Sequence, residues 1–305
     1  MRARVKQFLN KTWKILKDSG KNFKGDEPIV YSAAIAFFTI FSLPAILIVI
    51  TLIGSLFFNE EDVKSELIGK IENLISDEAG DQAGTVLENV LDAPTGFWGV
   101  LIGIIVVIKS ATIIFFIVQK ALNSIWQVKV KAGVNYFRLL KYRLVALAMV
   151  IGLGLLFATS LLLDTLVSVY SQELSNIFEE YFTPAIRTIN TVFYISVILI
   201  FFTAVHRVLP DAKVSWKDAL AGGVITSVLF LIGKQIINYI LSNVEVIGVY
   251  AAAGSLVVLL LWVFYSSIIL LLGAEVTKSY ANNHGRKVEP NPIAVKYREI
   301  SMEEE

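Results

Sequence analysis

The sequence predicts an all-α, polytopic membrane protein: a bundle of six transmembrane helices with N- and C-termini cytoplasmic. Three observations carry that prediction. The 305 residues are 55% hydrophobic with a mean hydropathy of +0.67, above the roughly 45–50% apolar usage of soluble domains. Six continuous apolar stretches are long enough to cross about 30 Å of hydrocarbon at about 1.5 Å per residue. The charged residues, 17% of the chain, collect in the segments between those stretches with alternating sign.

The stretches are residues 31–58, 96–119, 144–170, 188–205, 219–242 and 250–276. Unbroken apolar runs favour helices over barrel strands, which would alternate along about ten residues. Orientation follows the lysines and arginines of short flanking segments, which favour the cytoplasmic side. The segment before the first span carries Arg2, Arg4, Lys6, Lys11, Lys14, Lys17, Lys21 and Lys24, and the one after the second carries Lys120, Lys129, Lys131, Arg138, Lys141 and Arg143 with no acid. The loop after the first span is acidic, from Glu60 to Asp92, against only Lys64 and Lys70. Arg207, Lys213 and Lys217, then Lys278, Arg286, Lys287, Lys296 and Arg298, complete an in/out alternation without a conflict.

Outside the spans, residues 1–29 form a basic amphipathic N-terminal segment. Val5, Phe8, Leu9, Trp13 and Leu16 recur at helical spacing, with Lys6, Lys14 and Lys17 largely on other faces, the pattern of a helix lying on the inner leaflet. The membrane domain, residues 30–280, includes an acidic external cap at 59–95. Leu67, Ile68, Ile71, Leu74 and Ile75, then Val86, Leu87, Val90 and Leu91, give it two amphipathic helices. The polar cytoplasmic tail, 281–305, holds Asn282, Asn283, Gly285, Pro290 and Pro292 and ends in three glutamates, so poor order is expected there. Pro44 should kink the first span by removing one backbone hydrogen bond. Small residues four apart, Gly99 and Gly103, Ala148 and Gly152, Gly223 and Ser227, point to close helix packing and at most to a homodimer.

Charges at membrane depth are the strongest functional signal, because each must face protein or water. Counted at about 1.5 Å per residue from the outer ends, Lys109 lies roughly 18 Å deep, Lys234 roughly 12 Å and Asp164 roughly 8 Å. Gln119, Gln235 and Asn238 add polar capacity. If Lys109, Lys234, Asp164 and Asn238 converge, they line an outward-facing cavity with net positive charge, suited to a phosphate or carboxylate. Two other readings stand beside it: Asp164 pairs with Lys234, or Lys234 snorkels outward, and a proton-coupled relay is the third. Lys109 is too near the midplane to snorkel. Glu275, at the cytoplasmic end of the last span, reads as an interface or packing residue.

Enzymatic signals are missing from the sequence. There is no cysteine, which excludes disulfides, thiol nucleophiles and Cys-ligated metals. His206 and His284 are far apart in sequence, neither belongs to HExxH, and His206 beside Arg207 reads as an ordinary interfacial residue. No GxxxxGK[ST] loop or GxSxG elbow is present. No metal, cofactor or catalytic role is therefore expected, and the balance of 27 basic and 26 acidic residues gives no attraction to nucleic acid.

Four segments, YSAAIAFFTIFSLPAI from Tyr31, ALNSIWQV from Ala121, HRVLPDAKVSWKDALAGG from His206 and YAAAGSLVVLLLWVFYSSIILLLGAEVTKSYA from Tyr250, together resemble the YihY/BrkB family in order and spacing. The pairing of RVLP before the fifth span with LLLW and LLGAE in the sixth is the most specific part. His206 stands where the family often has Tyr, and Ala251 where a Gly commonly follows the Tyr. The resemblance implies a six-span protein of the bacterial cytoplasmic (inner) membrane. Members have been labelled ribonuclease BN, serum-resistance factors, and lipid or solute transporters. The first label finds no support in these residues, which lack an acidic metal cluster and a basic aromatic surface for RNA. The expectation is a transporter or lipid-handling protein for an anionic lipid or solute, with membrane lipids as partners. The alternative is a non-catalytic membrane scaffold whose acidic cap or basic N-terminal helix binds envelope partners.

Overall fold

The computed structural model describes residues 2–54, 59–74, 80–81, 83–85, 87–88, 97–134, 144, 182–243 and 254–297, with side chains described for most of these. Their elements are α1 (Arg2–Phe23), α2 (Pro28–Gly54), α3 (Glu60–Leu74), α4 (Phe97–Trp126), β1 (Val128–Val130), α5 (Phe182–Val208), α6 (Trp216–Asn243), α7 (Gly254–Asn283) and β2 (Ala294–Lys296). The predicted third span, 144–170, lies outside the described residues except Leu144. Among the described residues, three helices carry apolar stretches long enough to cross a membrane: Thr191–Val208 in α5, Trp216–Ile236 in α6 and Leu259–Asn283 in α7. Shorter apolar stretches, Pro28–Ile40 and Thr112–Trp126, lie in α2 and α4.

Chain contacts divide the molecule into two compact units. One is formed by 1–26, 122–228 and 270–305, the other by 27–121 and 229–269.

In the second unit, α2 starts at Pro28, whose missing N–H and fixed φ suit the first helical position. Glu27, at φ 47°, caps it by accepting from the Val30 and Tyr31 amides. The helix then runs unbroken through Pro44 to Gly54. Acidic α3 packs against α2, and Ala83 and Leu87 bury themselves on Ile68 and Ile71, so the two predicted amphipathic segments do meet through their apolar faces. Deeper in the unit, Phe230 and Trp262 approach at 5.3 Å between ring centroids, and Trp262 stacks on Tyr265 at 6.3 Å. Gly233 allows the Tyr265 ring to press on α6, because a methyl at that position would overlap it. The Tyr265 hydroxyl donates to the Leu229 carbonyl at 2.7 Å, where α6 already has its ladder bond, so the polar end of the ring is satisfied.

In the first unit, α5, α6 and α7 cross closely. Gly222 and Gly273 sit where α6 meets α7, and a Cβ on Gly273 would collide with Thr226 and the His206 ring. Gly223, one of the small residues expected at a packing seam, lies against Thr203 of α5.

The tail corrects the sequence expectation. Instead of poor order over 281–305, residues 284–297 form a strap, and only 298–305 lie outside the description. Gly285, at φ 68°, ends α7 in a Schellman turn, with the Arg286 amide donating to the Ala281 carbonyl at 3.1 Å. The chain then pairs with two distant segments. Ala212 bridges Pro290, the Asn291 amide donates to Asp211 O at 2.8 Å, and β2 pairs antiparallel with β1 in the register Val128 with Lys296, Lys129 with Val295 and Val130 with Ala294. Trp126, Val128, Ala212, Val214, Ala219, Ala281 and Val288 close a small apolar core beneath it.

Candidate functional site

The four intramembrane residues singled out from the sequence fall on different parts of the description. Lys109 is in α4 and Asn238 in α6, both without described side chains, and Asp164 lies outside the described residues. Lys234 is half-buried on α6, in the second unit, one turn beyond Phe230 and thus on the same helical face as the Phe230, Trp262 and Tyr265 aromatic wall. Gln235 beside it is exposed, and Gln119 is buried on α4. The aromatic wall was not among the sequence candidates. Its signal was the Trp262 to Tyr265 spacing at i, i+3, opposite an aromatic one turn before an intramembrane lysine.

The first unit holds a polar layer that the sequence underrated. His206 is 1% exposed rather than interfacial: it sits inside the crossing of α5 with α7, its Nε2 3.0 Å from the Leu270 carbonyl. That contact assigns the proton to Nε2. Among the described residues the buried Nδ1 then has no hydrogen-bond partner, and neither does the Thr203 hydroxyl one turn earlier. Glu275, read from the sequence as an interface or packing residue, is fully buried (0% exposed). Lys278 Nζ lies 3.2 Å from its Oε1 and 3.9 Å from Asp26 Oδ2, so one ammonium serves two carboxylates.

Around this layer, the connecting segments are tied by two reciprocal motifs. Asn123, within ALNSIWQV, donates its amide to Asp211 Oδ2 at 2.7 Å and accepts the Asp211 backbone N–H at 2.7 Å, which joins that segment to RVLPD. Ser215 caps α6: the Asp218 amide reaches its hydroxyl at 3.3 Å and the hydroxyl donates to Asp218 Oδ2 at 2.6 Å. Arg286 from the strap completes the knot, donating to Asp218 Oδ1 at 2.5 Å and approaching Ser215 Oγ at 3.1 Å. Arg207 adds a bond to the Val214 carbonyl and stands over the Trp216 ring at 4.5 Å. No group of three or more metal-ligating side chains occurs among the described residues.

These contacts bring together segments that the sequence only set side by side as motifs, and a family comparison accounts for the set. The model of the family described as Virulence factor BrkB matches residues 20–297. The chain belongs to the BrkB family. Curated relatives of this BrkB protein are UPF0761 membrane proteins. One from Legionella pneumophila is 27% identical over 275 residues, which is 88% of this chain and 62% of the relative. Others come from Alteromonas mediterranea, 28% identical over 90% of this chain and 92% of the relative, and from Vibrio vulnificus, 26% identical over 85% and 80%. The chain thus spans somewhat under two thirds of the Legionella relative's length. No solved structure matches. The BrkB protein is an integral membrane protein with apolar helices. Its matched region starts within α1 and ends in the strap, at residue 297, so the ordered tail lies inside the family domain.

Proposed function

We propose that this BrkB-family protein crosses the bacterial cytoplasmic membrane six times, with both ends inside, and works without catalysis as a transporter or lipid-handling protein for an anionic ligand. The observation that carries this reading is Lys234, a half-buried cation on an apolar helix beside the Phe230, Trp262 and Tyr265 wall. A cation on an apolar membrane helix must face protein, water or an anion. An aromatic wall next to it supplies apolar surface for the uncharged part of the same ligand, a common arrangement in small-molecule sites, where apolar walls surround a few polar groups. Lys109, in α4 and nearer the midplane by count along the sequence, is assigned to the same ligand.

The test is native mass spectrometry of protein purified gently from its own membrane, parent beside Lys234→Met. A phospholipid or anionic solute retained by the parent and lost from the variant supports the reading. Equal retention, or release of only zwitterionic lipid by both, removes it and leaves a scaffold that binds envelope partners through its loops.

A further inference from the structure

We infer that α1 is a binding surface for anionic phospholipid headgroups of the membrane in which the chain itself sits. This assignment does not rest on the transport reading.

α1 has two unlike faces. Ile15 and Ser19 are buried against protein, and Ser19 closes its hydroxyl onto the Ile15 carbonyl at 2.7 Å. The opposite face is open: Trp13 is 71% exposed and Leu16 37%. At 100° per residue, Leu16 and Gly20 lie within about 60° of Trp13 on one side, and Lys17, Lys21 and Lys14 within about 100° on the other. All three lysines are exposed. An aromatic and aliphatic edge beside a row of ammonium groups has the chemistry of the acyl–headgroup boundary, where an indole rests at headgroup level and lysines meet phosphate.

Two constraints keep that face at a bilayer. Lys11 Nζ donates to His284 Nε2 at 3.0 Å, while His284 Nδ1 bonds the Tyr280 carbonyl at 2.8 Å, which fixes α1 to the C-terminal end of spanning helix α7. Four residues separate α1 from apolar α2, and four residues reach at most about 14 Å. A soluble acidic partner would meet Trp13 and Leu16 as well as the lysines, whereas the bilayer is already within reach and matches both chemistries.

The chain has no cysteine, so a single nitroxide can be placed cleanly. Gly20→Cys is the site, since a side chain there meets nothing within 4 Å. The labelled full-length protein is reconstituted into vesicles of phosphatidylcholine alone or of phosphatidylcholine with phosphatidylglycerol. Accessibility to oxygen and to a water-soluble nickel complex is read by power saturation. With phosphatidylglycerol the label should be oxygen-accessible and shielded from nickel, and high salt or Lys14→Gln, Lys17→Gln and Lys21→Gln together should return it to water. Phosphatidylglycerol enrichment around the protein should fall about fivefold per lysine removed. Thermal unfolding of the triple variant beside the parent checks that α1 stays folded. Lys234→Met should leave the result unchanged. A label that stays nickel-accessible with phosphatidylglycerol overturns the inference, as does equal immersion in both vesicle types with no response to the lysines. A label already shielded in lipid-free detergent also overturns it, since a second copy or another protein segment would then cover the face.

Discussion

Replacing Arg286 by Met strands a buried carboxylate. Asp218 is 1% exposed, and its two oxygens are held by Arg286 at 2.5 Å and Ser215 at 2.6 Å. Removing one partner of a buried pair costs about 3–5 kcal/mol. The Arg286 side chain is 37% exposed and Ser215 remains, so solvent screening lowers this to about 2–3 kcal/mol. Asp218→Asn removes the same charge pair but strands only a guanidinium that water can reach, and it keeps the cap's shape, so about 1 kcal/mol is expected. The asymmetry decides between a structural ion pair and a surface ornament. At about 2–4 °C per kcal/mol for a chain of this class, Arg286→Met should lower the unfolding midpoint by about 4–12 °C in detergent, and Asp218→Asn by clearly less. The double variant should recover part of the loss, with a coupling of about 1–2 kcal/mol. Trypsin cleavage after Lys287 should accelerate in Arg286→Met, because the strap loses its anchor. An unchanged midpoint in Arg286→Met, or a larger fall in Asp218→Asn, would refute the argument.

Other expectations follow from the same contacts. Asn123→Ala should cost about 2–3 kcal/mol, since it removes both bonds to Asp211, 5% exposed; thermal unfolding against Asn123→Gln checks it, and a neutral result would mean the two segments are held elsewhere. Gly273→Val should fail to give a monodisperse protein on size exclusion, because Thr226 and the His206 ring occupy the space, whereas Gly20→Ala, at an open position in the last turn of α1, should be neutral or stabilise by up to about 1 kcal/mol. Single cysteines at Lys24, Lys131, Lys213 and Lys287 should react with impermeant maleimide only after the inner face is opened, and those at Asp81 and Glu179 from outside; an external Lys131 would break the six-span topology.

Hydropathy and charge made the helices legible, since continuous apolar runs bounded by charge need no knowledge of partners. The apolar residues at Ile68, Ile71 and Leu87 likewise pointed to the face that α3 buries. The tail was misread because its signals are local. Asn282, Asn283 and Gly285 do end a helix, and Pro290 and Pro292 do forbid another, but composition does not see that β1 lies far back in the chain and offers β2 a pairing edge. His206 was placed at the interface by counting from the span ends, and Glu275 was left as an interface or packing residue. α5 and α7 run further than the apolar stretches, to Val208 and Asn283, so both residues end up inside the helix crossing. In α1 the stripe read from the sequence as leaflet-facing includes Trp13 and Leu16, which are exposed, while Ile15 and Ser19 pack on protein. Periodicity shows that a helix is amphipathic but not which of two apolar edges meets protein.

The most direct test of the anionic-ligand proposal is ligand-induced stabilisation of the parent and of Lys234→Met, with phosphatidylglycerol and inorganic phosphate as the probes and phosphatidylcholine as the control. Binding to the folded state alone raises stability by about 2.7 kcal/mol at a hundredfold excess over the dissociation constant. The account predicts that at least one anionic probe raises the parent's unfolding midpoint and that Lys234→Met loses that rise. A Lys234→Met variant that keeps the parent's full gain from the same probe would contradict it.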